Sequence, residues 1–147
     1  MMHVYEFEVF EDDGWYLALP FGMEGGTQGK SIKEAAINAS DWLQIEMEHR
    51  AMRELPFPQE TFGNEPRNNG KIMLVAVNAG TNTVPRVTAA EAARRLGVTR
   101  GRVSQMIASG LLEIFELDGR TWVSTYSVDA RLSEKPKAGR PRKATLA

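Results

Sequence analysis

The stretch over residues 87–124 constrains the fold of this 147-residue chain most strongly. Its pattern predicts two short helices joined by a tight turn. Thr88 and Glu91 have the spacing of a capping box, in which each side chain bonds an unpaired N–H at the helix start. Gly97 is expected to end this helix, because a residue without Cβ adopts positive φ at no steric cost. The inward face of the helix is predicted to consist of Ala89, Ala93 and Leu96.

A second helix is predicted between Thr99, which can cap it, and Gly110, which ends it. Val103 and Ile107 are expected to point inward. Two helices with this spacing are typical of a helix-turn-helix, whose second helix enters the major groove of DNA. Arginine and glutamine side chains in that groove can bond base edges with two hydrogen bonds. The candidate base-reading residues, which point outward in this prediction, are Arg100, Arg102, Ser104 and Gln105.

A β-hairpin is predicted after the second helix, with strands over residues 112–117 and 120–124. Asp118-Gly119 between them is a strong hairpin signal, and a closing helix is expected over residues 125–132. Basic residues beside such a motif contact phosphates, which set affinity and register rather than sequence preference. The alternative is that these residues form only a solvated face, but the turn, the hairpin and the charge together favour DNA binding. The candidate phosphate contacts are Arg94, Arg95, Thr99 and Arg120.

Charge is divided unequally along the chain. Residues 1–82 hold 6 Lys/Arg against 13 Asp/Glu, a net charge of -7, whereas residues 83–147 hold 12 against 6, a net charge of +6. This polarity indicates two modules with different partners, a polyanion for the basic half and a basic protein for the acidic half. The chain has no cysteine, no apolar run near the ~20 residues that span a bilayer, and an acidic start unlike a signal peptide. We therefore expect a cytoplasmic protein, associated with the nucleoid when bound to DNA, with no membrane partner.

The first 78 residues are predicted to form a small α/β module. Alternation over residues 3–10 predicts a strand with one apolar face, and Asp13-Gly14 predicts a hairpin to a returning strand at residues 15–20. A short third strand is expected near Thr27. Ser31 and Glu34 form a capping box that begins a helix running to about residue 54, before a loop over residues 59–70. The apolar stripe of this helix is predicted to comprise Ile32, Ala35, Ala36, Ala39, Trp42, Leu43 and Met47.

The module is predicted to end with a strand over residues 71–77 that is apolar almost throughout. Such a run suits a strand covered on both faces, or one buried at an interface. Because one helix-turn-helix covers only half of a binding site, a dimer or higher oligomer is expected, and this strand is a candidate interface. The predicted order is ββ(β)αβ over residues 1–78, a linker over residues 79–85 and the DNA-binding module over residues 86–133.

No set of residues predicts catalysis. Glu11, Asp12 and Asp13 invite a metal-site interpretation, but three consecutive acids in a turn point in different directions and are more simply a solvated turn. His3 and His49 are far apart in the sequence, which supports neither a zinc site nor a His-based triad. The sequence therefore predicts no catalytic residue, no metal and no cofactor.

The first module contains a series of short motifs between residues 13 and 58. They are Asp13-Gly14-Trp15, Leu19-Pro20, Thr27-Gln28-Gly29, Ser31 with Glu34-Ala35, Asn38-Ala39, and Leu55-Pro56 with Pro58. In this order they resemble the HicB antitoxin family. The resemblance implies a partial RNase H-like fold and a partner that is a small basic HicA-like toxin, an mRNA-cleaving enzyme.

The second module and the tail carry two further resemblances. The segments 92–99, 103–107 and 110–112 resemble MerR/excisionase-like winged helix-turn-helix families, which implies that the second helix reads the major groove. The tail over residues 134–147 is too polar to pack and is predicted to be disordered. Gly139-Arg140-Pro141 resembles the core of an AT-hook, which would place Arg140, Arg142 and Lys143 in a minor groove; the alternative is a solvated basic tail.

These patterns together predict an α+β protein that binds DNA through one module and a protein through the other. The favoured hypothesis is an antitoxin of a type II toxin–antitoxin pair, which neutralises its toxin and represses its own operon by binding operator DNA. The alternative is a stand-alone transcriptional regulator whose α/β module only dimerises or senses a ligand. A nuclease is disfavoured because no catalytic constellation is visible.

Overall fold

The computed structural model describes residues 1–134. The chain divides into two compact units, Met1–Val84 and a second unit that starts at Pro85. Both units combine helices with antiparallel strands, which confirms the predicted α+β class. Arg140, Arg142 and Lys143, the predicted minor-groove residues, lie outside the described residues together with the rest of 135–147.

The first unit is a four-stranded antiparallel sheet with one long helix. Its strands lie in the order β3-β2-β1-β4, so β4 pairs with β1 at an edge of the sheet. The β1–β2 hairpin turns at Asp13 and Gly14, whose φ values of 53° and 81° are those of a tight hairpin turn. The elements are β1 (Met2–Asp12), β2 (Trp15–Pro20), β3 (Thr27–Gly29), α1 (Ile32–Met52) and β4 (Lys71–Asn78).

Helix α1 packs on one face of this sheet. The Ser31 hydroxyl caps it by accepting the Glu34 N–H at 3.0 Å, but the Glu34 carboxylate accepts the N–H of Lys30 at 2.5 Å, one residue before the position that a capping box requires. Ile32 is 58% exposed, so its predicted place in the apolar stripe is wrong. The helix ends at Met52, earlier than predicted, and Glu54 follows with φ 56°. The buried residues of the stripe are Ala35, Ala39, Leu43 and Met47.

The loop between α1 and β4 covers the opposite face of the sheet. Glu6 of β1 accepts hydrogen bonds from the backbone N–H groups of Gly63 and Asn64, both at 2.9 Å. Glu8 accepts hydrogen bonds from the N–H groups of Arg67, Asn68 and Gly70 at 2.7–2.9 Å. Both glutamates are buried. The predicted loop is therefore a folded cover, held by two carboxylates that the sequence pattern placed on a polar face.

Residues 79–84, which were expected to belong to a linker, continue the first unit. Ala79 is buried in the core of this unit, and Thr81–Thr83 form a short 3-10 helix. The Thr83 hydroxyl donates a hydrogen bond of 2.6 Å to the buried carboxylate of Glu48 in α1. These contacts fix the segment against the helix.

The second unit has two helices joined by a tight turn, a three-stranded antiparallel sheet and a closing helix. Its strands lie in the order β5-β7-β6. The pairing of β5 with β7 was not predicted, and β6 begins two residues later than the predicted hairpin strand because Leu112 is buried in the core instead. The elements are β5 (Arg86–Val87), α2 (Ala89–Leu96), α3 (Arg100–Ala108), β6 (Ile114–Leu117), β7 (Arg120–Ser124) and α4 (Thr125–Leu132).

Helix α2 is central to this unit, since it contacts α3, α4 and β7. Gly97 ends it with φ 69°, as predicted. Its inward face differs from the prediction, because Ala92 is fully buried while Ala89 and Leu96 are only partly buried. Small side chains at this face allow close approach of the neighbouring helices. None of the described helices is long and apolar enough to cross a membrane.

Candidate nucleic-acid interface

Helix α3 is held so that one side packs and the other faces solvent. The Thr99 hydroxyl caps its start by accepting the Arg102 N–H at 3.0 Å. Val103 and Met106 are buried against the core of the unit, and Ile107 is partly buried there. The predicted inward residues Val103 and Ile107 are therefore in place. Met106, which was not predicted to point inward, is more buried than Ile107.

The four predicted base-reading residues all lie on the exposed side of α3. At about 100° per residue, Gln105 lies roughly opposite Val103, and Arg102 lies about 60° from Gln105. Arg100, the first residue of the helix, lies about 60° from Val103. Ser104 lies between Arg100 and Gln105. This arrangement presents two fixed positive charges and two hydrogen-bonding side chains on a helix that carries no acidic residue.

Two of the predicted phosphate contacts are held by an acid of their own helix. The Glu91 carboxylate lies 2.5 Å from Arg94 Nη2 and 3.2 Å from Arg95 Nε. Hydrogen bonds from Arg94 and then Arg95 hold the pKa of Glu91 below its ordinary value. A phosphate must therefore compete with Glu91 for these arginines, and the pairs are exposed enough that solvent screens them. Thr88 accepts the N–H of Glu91, as predicted. The Glu91 carboxylate, however, bonds Arg94 and Arg95 instead of completing the predicted capping box.

The hairpin carries a cation–aromatic cluster that was not predicted from the sequence. The guanidinium of Arg120 lies 4.9 Å from the centroid of the Trp122 ring, and that of Arg86 lies 5.3 Å from it. Arg120 and Trp122 alternate along β7, so their spacing of two residues was a readable signal. Arg86 comes from β5, and only the unpredicted β5–β7 pairing brings it to this ring. The predicted phosphate contact Arg120 is thus held in place by an indole.

The described part of the second unit is close to neutral. Residues 85–134 contain seven Lys/Arg and six Asp/Glu, a net charge of +1. The other five basic residues of this half lie in residues 135–147. Helix α3 carries two of these seven basic residues and no acid, so it is positive although the described part of the unit is nearly neutral.

The candidate metal ligands of the first unit are not gathered into a metal site. Glu11, Asp12 and Asp13 are exposed at the end of the β1–β2 hairpin. His3 is buried, with Nε2 3.2 Å from the carbonyl oxygen of Ala79. Among the described residues, no group of three or more His, Asp or Glu side chains is arranged to hold a metal ion.

An apolar cleft of about 490 Å³ opens at one end of the sheet in the first unit. Its walls include Val9, Tyr16 and Met73 of the sheet and Ile32 of α1. Lys71 and Glu11 also line it. Because its walls are mostly apolar, the cleft suits binding of an apolar group rather than acid–base chemistry.

Comparison with known proteins gave one structural similarity. No protein-family profile matches the chain, and no curated protein matches it. Among solved structures, a chain of a toxin–antitoxin complex from Streptococcus pneumoniae is similar to this protein at 19% sequence identity and a TM-score of 0.48. The similarity covers 75% of this chain and 99% of that chain.

Proposed function

We propose that this protein is a DNA-binding repressor whose second unit is a winged helix-turn-helix and whose first unit neutralises a small basic toxin. The observation that carries the DNA-binding half is the exposed side of α3. It presents Arg100, Arg102, Ser104 and Gln105 with no acid on the helix. Arginine suits the edge of guanine, and glutamine suits the edge of adenine. A role without catalysis is part of this proposal.

Phosphate contacts would position α3 in the groove. Arg94 and Arg95 on α2 can exchange the Glu91 carboxylate for a phosphate oxygen. Arg120, held over Trp122, extends the basic surface to the hairpin. Such contacts are sequence-independent, and each one makes binding more sensitive to salt.

Replacing Arg100 and Gln105 together by alanine should abolish the preference for the operator. A bidentate base contact is worth about 1–3 kcal/mol of discrimination, so the loss should be about fivefold to 150-fold per contact. The site is first found by selection from random duplexes with the full chain, and binding of that duplex is then compared with a scrambled duplex.

The matched control replaces Gln28 and Arg53 by alanine, since both are exposed residues of the first unit. This control should keep the operator preference. An R100A/Q105A variant that still distinguishes the selected duplex from the scrambled one would show that α3 is not the reading helix.

The antitoxin half of the proposal is supported by the first unit's charge and motifs. Residues 1–82 have a net charge of -7, which suits a basic partner. Several residues of the HicB-like motifs have definite structural roles: Gly29 lies where a Cβ would approach the Ala35 nitrogen to 2.5 Å, and Asp13-Gly14 forms the hairpin turn. These motif residues thus support a shared fold, and the net negative charge supports the proposed toxin-binding role.

Co-expression tests this second half. A small basic reading frame beside the gene should arrest growth when expressed alone, and the full chain should relieve that arrest and co-purify with its product. R100A/Q105A should relieve it equally well, because toxin binding is assigned to the first unit. Absence of such a reading frame, or failure of the wild-type chain to protect, would contradict the antitoxin role and leave DNA binding intact.

The apolar cleft supports one alternative, a stand-alone regulator that senses a small molecule. Its volume of about 490 Å³ falls within the range of ordinary ligand pockets. This alternative predicts that operator affinity changes when an apolar ligand is added and that no toxin is encoded nearby. The antitoxin proposal predicts that operator affinity responds instead to the toxin.

A further inference from the structure

Strand β4 is an unprotected edge of the first sheet. It pairs with β1 on one side, and no strand of the described chain pairs with its other side. Natural edge strands are usually blocked by charges, proline, bulges or a covering segment. Residues 72–77 contain no charge and no proline, and the β1–β4 register continues without a bulge. The edge therefore has the features of a strand that pairs with another strand.

The side chains of β4 are also unevenly covered. Met73, Val75 and Val77 share the face of Phe7, Tyr5 and His3 that packs on α1. Leu74 lies opposite Glu6 on the other face, yet it is 62% exposed. The loop that covers Glu6 and Glu8 leaves this leucine in solvent. A strip of apolar surface formed by Ile72, Leu74 and Ala76 thus runs along the edge.

The strand is complementary to itself. Directly opposed residues of an antiparallel pair point to the same face of the sheet. In a symmetric pair of β4 strands, even-numbered residues must therefore lie opposite even-numbered residues and odd-numbered opposite odd-numbered ones. A two-fold axis at Leu74 places Leu74 opposite its own copy and Ile72 opposite Ala76, a large residue against a small one. On the α1 face it places Met73 opposite Val75. Such cross-strand apolar pairs stabilise a sheet.

The distribution of charge indicates which partner binds the apolar strip of β4. The acidic residues that would draw a basic partner lie elsewhere in the first unit, whereas residues 72–77 are neutral. Two units that each carry a large negative charge can approach closely only through a neutral surface. We propose that this strip is the homodimer interface, in which β4 pairs antiparallel with β4 of a second copy to make a continuous eight-stranded sheet. The resulting two-fold symmetry is the one that a palindromic operator requires.

A cysteine at position 74 tests this pairing in the full chain, which has no cysteine of its own. Leu74→Cys should form a disulfide-linked dimer under mild oxidation, because opposed residues of an antiparallel pair have Cα atoms close enough for a disulfide. The matched control is Ile37→Cys, an apolar residue of α1 that is 52% exposed. It should not cross-link at the same protein concentration.

Leu74→Asp provides the second measurement. It places two like charges opposite each other and should convert a mostly dimeric chain to a mostly monomeric one in light scattering, with an unchanged circular dichroism spectrum. A monomeric wild-type chain, or a dimer that resists Leu74→Asp and does not cross-link through Cys at 74, would overturn the proposal. Cross-linking and light scattering are both measured without DNA. A failure of the dimer proposal can therefore be distinguished from a failure of operator binding by α3.

Discussion

At the scale of single residues, several carboxylates of the first unit accept hydrogen bonds from backbone N–H groups. Glu8 and Glu6 receive the N–H groups of the covering loop. Glu60 accepts the N–H of Val4 at 3.2 Å, and Glu34 accepts that of Lys30. Part of the negative charge is therefore committed to internal hydrogen bonds. Glu6 and Glu8 are buried, whereas the acids of the β1–β2 hairpin are exposed and available to a basic partner.

Glu8 gives a pH prediction. Burial by itself raises the pKa of this carboxyl, but hydrogen bonds from Arg67, Gly70 and Asn68 outweigh it and hold the pKa below its ordinary value. A carboxyl with a lowered folded-state pKa stabilises the fold above its unfolded pKa, about 4.3, and this contribution is lost as pH falls through the folded value. Glu8→Gln should therefore destabilise the first unit at neutral pH, by about 1–3 kcal/mol for weakened bonds to buried N–H groups.

Thermal unfolding of wild type and Glu8→Gln as a function of pH measures this effect. The difference between the two should be largest at neutral pH. It should shrink as pH falls from the unfolded pKa, about 4.3, through the lower pKa of the folded carboxyl. Glu11→Gln is the matched control, because Glu11 is an exposed carboxylate of the same strand. A pH-independent difference for Glu8→Gln would show that its charge does not hold the loop.

At the scale of elements, local signals predicted most of the structure. The Thr88 and Thr99 caps, Gly97 and the hairpin turns at Asp13-Gly14 and Asp118-Gly119 are all where the sequence placed them. Each of these features depends on residues within a few positions of one another, so the local sequence determines it. The candidate reading face of α3 is predictable for the same reason, since helical periodicity alone separates Val103 from Gln105.

The features that were missed depend on contacts between distant residues. The β5–β7 pairing joins Arg86 to Ser124. A strand of two residues is too short for its sequence pattern to predict this pairing. The cover on the first sheet joins Glu8 to Asn68, 60 positions apart. Ile32 was misassigned because its position fits the helical stripe, although it lies at the open end of the sheet beside the cleft. Periodicity gives the direction of a side chain, but whether a partner covers it depends on the rest of the chain.

At the scale of the whole molecule, charge is distributed differently from what the two halves of the sequence imply. The described residues of the second unit have a net charge of +1, and residues 135–147 contribute five Lys/Arg. In the proposed operator complex, specificity would come from the base-reading side chains of α3. Most of its sequence-independent attraction to DNA would come from the tail.

Removing residues 135–147 should therefore weaken binding to all duplexes by a similar factor while leaving the preference for the operator unchanged. Each lost phosphate contact should reduce the slope of log K against log salt by about 0.9. Titrations of the selected and the scrambled duplex at several salt concentrations measure both quantities. A full-length chain with Gln in place of the five tail Lys/Arg separates charge from length and should behave like the truncation. An unchanged salt slope in either variant would show that the tail makes no phosphate contact, and a changed operator preference would indicate that Arg140 and its neighbours read the minor groove.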